Sequence, residues 1–296
     1  MFPFKPKKLK TGLPEIAVPI AGGILHLHEL RSRIFKNSRF LRVWTPPGYG
    51  EPAGTRYPVL YLNDGQNLFE ASTAFGGVHW QVGETASRLI AEKKIPPLLI
   101  VGIDNTGKNR IREYLPWRTP DVKALIVKGK LYPNFLRREV MPLVESQYAV
   151  RPGPEDTGFG GSSLGGLMAL YTQIAAPGVF GRLLIESPSL AVAHRKIIYE
   201  CRRFRTWPER VYLGMGTREL GDIKKDEKIA NDARELGTLI AAAGLDDRRL
   251  MVNIEEGAPH SEAAWARRLP GALVFLYGEA AIQASSKVSP GAAPPA

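Results

Sequence analysis

The sequence is poor in cysteine. Cys201 is the only cysteine among 296 residues, so an internal disulfide bond is excluded, as is any metal site built from several thiolates. A chain with a single thiol fits a reducing compartment, and we therefore expect a cytoplasmic protein.

Long apolar runs are also absent. No stretch approaches the roughly 18 consecutive apolar residues that indicate a membrane span. The N-terminal lysines are not followed by an apolar segment with a cleavage site, so we do not predict a signal peptide. Residues 1–20 instead have the composition of a basic arm interrupted by Pro14 and Pro19. The small, proline-rich residues 280–296 predict a disordered tail.

The net charge of +11 raises the question of nucleic-acid binding. Most basic residues are dispersed along the chain, and no helix-turn-helix, RNA-recognition or zinc-finger pattern is present. The sequence therefore predicts no nucleic-acid partner.

Short apolar runs alternate with amphipathic segments from residue 21 to residue 279, which we predict to be one domain. Such alternation favours a mostly parallel sheet covered by helices on both faces. The runs that predict strands are 24–30, 40–44, 59–62, 98–103, 156–161, 182–185, 211–215 and 249–254. In sheets of this kind the active site lies beyond the carboxyl ends of the strands.

One stretch combines a strand end, a tight turn and a helix start: Gly161-Ser162-Ser163-Leu164-Gly165 is a G-x-S-x-G. In a nucleophile elbow the serine occupies a strained strand-to-helix turn, and small neighbours let the backbone approach. Two phosphate-loop alternatives fail, because Gly166 replaces the Walker lysine and Ser163 replaces the third glycine of a dinucleotide fingerprint. Ser163 is the predicted nucleophile.

A serine hydroxyl needs a base, and α/β-hydrolases supply it from a histidine that follows the serine and an acid. His260 lies between the last predicted strand and helix, whereas His194 lies in a basic helix and is expected at the surface. For the acid we favour Glu219, with Asp222 second and Glu186 a more distant choice. A Ser-His dyad without a strong acid partner is also possible.

The oxyanion needs two backbone donors. The N–H group of Leu164, directly after the nucleophile, is the first. The second is expected in Asp64-Gly65-Gln66-Asn67, where we favour Gln66 over Gly65. An ordinary Asn-Asp-Gly turn is the competing interpretation of that loop.

Together these segments resemble a family of α/β-hydrolases that includes enterochelin esterases, esterase D-type S-formylglutathione hydrolases, some feruloyl and acetylxylan esterases, and mycolyltransferases. The resemblance covers about residues 30–278 and implies an α/β-hydrolase fold, with Ser163 and His260 as nucleophile and base. The segments that carry it are 45–49, 59–69, 101–105, Arg110-x-x-Glu113-Tyr114, 160–166 and 260–265.

The resemblance also directs attention to a predicted polar loop through Arg110, Glu113 and Tyr114. Arg110 and Glu113 are either a structural ion pair near the site or direct substrate contacts. Tyr114 and Trp80 are candidates for lining an acyl or aromatic pocket, although buried aromatic residues more often belong to a core.

The sequence thus predicts a serine esterase of the siderophore-esterase or esterase D type, acting on a small-molecule ester without metal or cofactor. An acyltransferase that uses the same residues is one alternative. A non-catalytic, anion-binding member of the fold is the other. The sequence does not determine the oligomeric state.

Overall fold

A computed structural model describes residues 16–122 and 125–278. Its strands are β1 (Ile16–Ile20), β2 (Gly23–Arg31), β3 (Ser38–Thr45), β4 (Val59–Asn63), β5 (Leu99–Ile103), β6 (Thr157–Ser162), β7 (Arg182–Glu186), β8 (Arg210–Arg218) and β9 (Leu250–Pro259). They form one sheet in the order β1-β2-β3-β5-β4-β6-β7-β8-β9. Pairing is antiparallel from β1 to β3 and between β3 and β5, and parallel across the rest.

The α-helices are α1 (Val82–Ala91), α2 (Arg110–Tyr114), α3 (Tyr132–Phe135), α4 (Met141–Gln147), α5 (Leu164–Ala175), α6 (Val192–Cys201), α7 (Ile223–Ala242) and α8 (Glu262–Tyr277). Helices α1 to α7 lie in the connections between the parallel strands, and α8 follows β9. A π-helical segment, Leu136–Val140, joins α3 directly to α4. Among the described residues, no helix is both long and apolar enough to cross a membrane.

The sheet has an apolar core on each face, as the alternation of strand side chains requires. In β4, Val59 and Tyr61 belong to one core and Leu60 and Leu62 to the other. Helices α5, α6 and α7 cover the first face, and α1 and α8 cover the second. The buried strands are nearly continuous apolar runs because both of their faces are covered.

The prediction of an α/β fold with a mostly parallel sheet and helices on both faces is confirmed. The predicted boundary of the basic arm is wrong, because Ile16–Ile20 forms the edge strand β1. An edge strand tolerates Pro19, which cannot donate a hydrogen bond to a neighbour. Residues 1–15 and the predicted tail, 280–296, lie outside the described residues.

Helix α8 follows the predicted catalytic histidine, so we expect the packing of α8 to contribute to the stability of the site. Leu273 is completely buried in the core between α8 and the sheet, whereas its neighbour Val274 is 38% exposed. We expect Leu273→Ala to lower the free energy of unfolding by about 2–5 kcal/mol. Val274→Ala, the matched control, should lower it by no more than about 1 kcal/mol. Urea denaturation of both variants checks this. Equal losses of stability would contradict the packing of α8 against the sheet.

Candidate active site

Ser163 occupies the sharp turn between β6 and α5. Its backbone angles, φ 56° and ψ −124°, lie in a region that non-glycine residues rarely adopt. The glycines on either side are required for space, because a Cβ atom at Gly161 or Gly165 would lie within 3.0 Å of the side chain of Asn63. The G-x-S-x-G stretch therefore has the geometry of a nucleophile elbow.

The loop after β7 holds the backbone of Ser163 on both sides. The N–H group of Ser163 donates to the carbonyl of Glu186 at 3.0 Å, and the N–H group of Ser189 donates to the carbonyl of Ser163 at 3.1 Å. The hydroxyl oxygens of Ser163 and Ser189 are 3.5 Å apart. Such contacts fix a strained residue that would otherwise relax.

His260 lies immediately after β9, at the carboxyl edge of the sheet. Its Nδ1 atom contacts Oε2 of Glu219. The imidazole ring packs edge-on against Trp265, with ring centroids 5.0 Å apart, and one third of the side chain is exposed. The ring is thus oriented from one side while its other edge remains accessible.

Glu219 is buried, and its carboxylate accepts several hydrogen bonds. Its Oε1 atom accepts hydrogen bonds from the hydroxyl of Ser187 and from the N–H group of Gly216, both at 2.7 Å. Burial by itself would raise the pKa of Glu219, but the hydrogen bonds from His260, Ser187 and Gly216 outweigh it and lower the pKa overall. Glu219 is therefore a carboxylate at neutral pH.

Asp222 and Glu186, the other two acids that the sequence offers as the partner of the histidine, do not bind His260 and have other partners. Asp222 is exposed and caps α7 by accepting a hydrogen bond from the N–H group of Lys225 at 3.1 Å. Glu186 pairs with Arg268 on α8, at 2.7 Å from Nη2. His194 is exposed on α6, as the sequence predicts.

Ser163 and His260 line the same cleft, which has a volume of about 620 Å³. Gln66 also lines this cleft, whereas Gly65 is buried against β5. Gln66 lies in a short 3₁₀-helix, Gly65–Asn67, and Leu164 is the first residue of α5. N–H groups in the first turn of a helix lack intrahelical partners. Both groups are thus suited to bind an oxyanion, and Gln66 fits this role better than Gly65.

Arg110 is the one of the four predicted pocket residues that lines the cleft. Its guanidinium makes two hydrogen bonds of 2.8 Å to Asp64, on the loop after β4. The arginine thus holds that loop, and its side chain is 26% exposed.

The predictions for Glu113, Tyr114 and Trp80 as pocket residues are wrong. Glu113 is buried and forms an ion pair with Arg39 at 2.8 Å. Tyr114 and Trp80 are buried in the two cores. The predicted loop is helix α2, and residues three and four apart share one helix face. On that face Glu113 and Tyr114 are buried, whereas Arg110, at the start of the helix, lines the cleft.

Two polar residues at the site were not expected from the sequence. Glu262 lines the cleft and accepts a hydrogen bond from Asn67 at 3.2 Å, and burial raises its pKa. Ser187 contacts Glu219 from the loop after β7. Ser187 directly follows β7, and Glu262 begins α8 three residues after the end of β9. Their positions near the carboxyl ends of strands were the available signal, because the active site lies at this edge of the sheet. Among the described residues, no cluster of metal-ligating side chains occurs.

A strained serine at a strand-to-helix turn, with a histidine at the edge of a mostly parallel sheet, defines the α/β-hydrolase class. Comparison with known proteins identifies the family within this class. Residues 32–276 match the family described as "Putative esterase", and the chain belongs to it. It is a carboxylic ester hydrolase by family.

Two proteins of known sequence are similar to the chain. The chain is 24% identical to the uncharacterized protein YbbA of Bacillus subtilis, over 82% of this chain and 94% of YbbA. It is 30% identical to the iron(III) salmochelin esterase of Escherichia coli, over 52% of this chain and 32% of that enzyme.

Two solved structures share the fold at low sequence identity. The enterobactin esterase FES of Shigella flexneri superposes with a TM-score of 0.66 at 20% identity, over 90% of this chain and 59% of that chain. The BES protein of Bacillus cereus gives a TM-score of 0.68 at 18% identity, over 90% and 99% of the two chains. The chain therefore spans about three fifths of the FES structure and nearly all of BES.

The buried pair of Glu186 and Arg268 makes stability depend on pH. Burial raises the pKa of Glu186 from 4.5 to about 7, against the opposing effect of Arg268. The folded protein then binds this proton more tightly than the unfolded chain does. The free energy of unfolding should therefore fall as the pH rises from about 4.5 to about 7, by up to about 3 kcal/mol.

Glu186→Gln cannot titrate and should lose this part of the pH dependence. Urea denaturation of the wild type and the variant at pH 5 and pH 8 measures the difference. The same fall in both proteins would show that another group is responsible.

Proposed function

We propose that the chain is a serine carboxylic-ester hydrolase in which Ser163 is the nucleophile, His260 the general base and Glu219 the acid partner. The observation that carries this proposal is the contact between Glu219 and His260 beside the cleft that Ser163 also lines. A buried, ionised carboxylate at Nδ1 stabilises the imidazolium that forms when the histidine accepts a proton.

In the first step, Oγ of Ser163 attacks the carbonyl carbon of the ester while Nε2 of His260 takes the hydroxyl proton. The tetrahedral oxyanion is stabilised by the N–H groups of Leu164 and Gln66. When the C–O bond to the leaving alcohol breaks, His260 returns the proton to that oxygen. Water then attacks the carbonyl carbon of the acyl-enzyme while His260 takes a proton from it. The bond to Oγ breaks, His260 returns the proton to Oγ, and the acid leaves.

For the substrate we infer a small siderophore-type ester. The names of the salmochelin and enterobactin esterases support this class, although the chain covers only part of each of those proteins. A cytoplasmic location and the absence of a nucleic-acid partner stay predictions, supported by the single cysteine and the dispersed basic residues.

Ester hydrolysis by three variants tests the proposal. Ser163→Ala should abolish turnover of a p-nitrophenyl ester, because no other nucleophile is proposed. Glu219→Gln should lower kcat by about 10²- to 10⁴-fold, since the amide cannot stabilise the imidazolium. Asp222→Asn is the matched control, because this acid only caps α7, and it should retain wild-type turnover.

Product analysis with and without an added alcohol separates hydrolysis from acyl transfer. Free acid as the main product in both cases is the expected result. Full activity of Ser163→Ala would contradict the mechanism, and loss of activity in Asp222→Asn but not Glu219→Gln would contradict the choice of acid.

A further inference from the structure

The loop after β7 contacts both halves of the proposed catalytic apparatus. Backbone groups of Glu186 and Ser189 bind the backbone of Ser163. Between them, Ser187 has φ 39° and turns its side chain to Glu219, where its hydroxyl lies 2.7 Å from Oε1. One short segment thus joins the nucleophile to the acid.

The hydrogen-bond partners of Ser187 fix the direction of its hydroxyl. A serine hydroxyl has one proton to donate and two lone pairs that accept. Nε1 of Trp265, at 3.0 Å, and Nη2 of Arg268, at 3.3 Å, carry protons and cannot accept. Both lone pairs of the hydroxyl are therefore taken, and its proton points to Glu219. Because Ser187 is only 2% exposed, water does not compete for these positions.

This arrangement determines what Glu219 can do. Oε1 of Glu219 already accepts hydrogen bonds from Ser187 and Gly216, so Oε2 is the oxygen that receives His260. An ionised carboxylate only accepts, so Nδ1 of His260 must carry the proton. Nε2 of the neutral ring is then unprotonated, which is the tautomer that a general base requires.

We propose that Ser187 is a positioning residue that selects this tautomer of His260 by holding Glu219, with Trp265 and Arg268 fixing its own hydroxyl. The inference rests on the proposed function, since it concerns the same serine, histidine and acid. Arg268 contributes as the buried anchor of the network: Nε and Nη2 bind Glu186, and Nη1 binds Glu255 at 2.8 Å.

Removal of the Ser187 hydroxyl should have different effects if the residue only packs and if it positions Glu219. Loss of packing lowers the fraction of folded enzyme and leaves the chemistry of each folded molecule unchanged. Loss of the hydrogen bond to Glu219 leaves that carboxylate free to turn away from Nδ1 of His260, which weakens its hold on the imidazolium. The acidic limb of the profile of kcat/KM against pH should then move to lower pH.

The test compares Ser187→Ala and Ser187→Gly with the wild type, using a p-nitrophenyl ester and a fluorophosphonate to count active sites. Glycine accepts the positive φ of this position without strain, so it separates loss of the hydroxyl from backbone effects. Both variants should lower kcat per active site by about 10- to 100-fold, as expected for a hydrogen bond to a charged group. KM should change less than about threefold, since Ser187 does not line the cleft.

The matched control is Thr157→Val, which removes another buried hydroxyl at the opposite end of β6, where it bonds to the carbonyl of Gly153 at 2.8 Å. It should leave kcat per active site and the acidic limb unchanged. Wild-type kcat and an unshifted limb in Ser187→Gly would overturn the inference while Ser163→Ala remained inactive. Activity in Ser163→Ala would instead overturn the proposed function itself.

Discussion

The contact between the buried carboxylate of Glu219 and the imidazole of His260 is the interaction on which the rest of the site depends. A carboxylate this far from water stays ionised only if donors replace its hydration. The N–H group at Gly216 and the hydroxyl of Ser187 are those donors, and they come from the ends of two neighbouring strands. The sheet order that places β7, β8 and β9 side by side is therefore a requirement of the electrostatics of the site.

Ser163, the proposed nucleophile, is held by the same part of the fold. The end of β7 and the loop after it bind the backbone of Ser163 and the side chain of Glu219, so one segment holds both the strained turn and the proposed acid. Helix α8 supports this segment from the second face of the sheet through Trp265 and Arg268, both of which donate to Ser187. Packing of that helix, the pH-dependent pair of Glu186 and Arg268, and the orientation of His260 are consequently linked.

Much of this was predictable from local sequence. The elbow around Ser163 and the strand-end position of His260 follow from patterns of adjacent residues, and the buried strands follow from apolar runs. Contacts between distant segments were not predictable: Glu113 pairs with Arg39 rather than facing the cleft, and Ser187 binds Glu219 across two strands. Helix α2 was missed because a segment of five residues is too short to show helical periodicity.

The most direct test of the central claim is mass-spectrometric mapping of a fluorophosphonate adduct in the wild type and in His260→Ala. Such reagents react with serines whose hydroxyl is activated by a neighbouring base. The account predicts an adduct at Ser163 that forms much more slowly in the variant. Folded wild-type protein that takes no label at Ser163, or equal labelling rates in the two proteins, would contradict it.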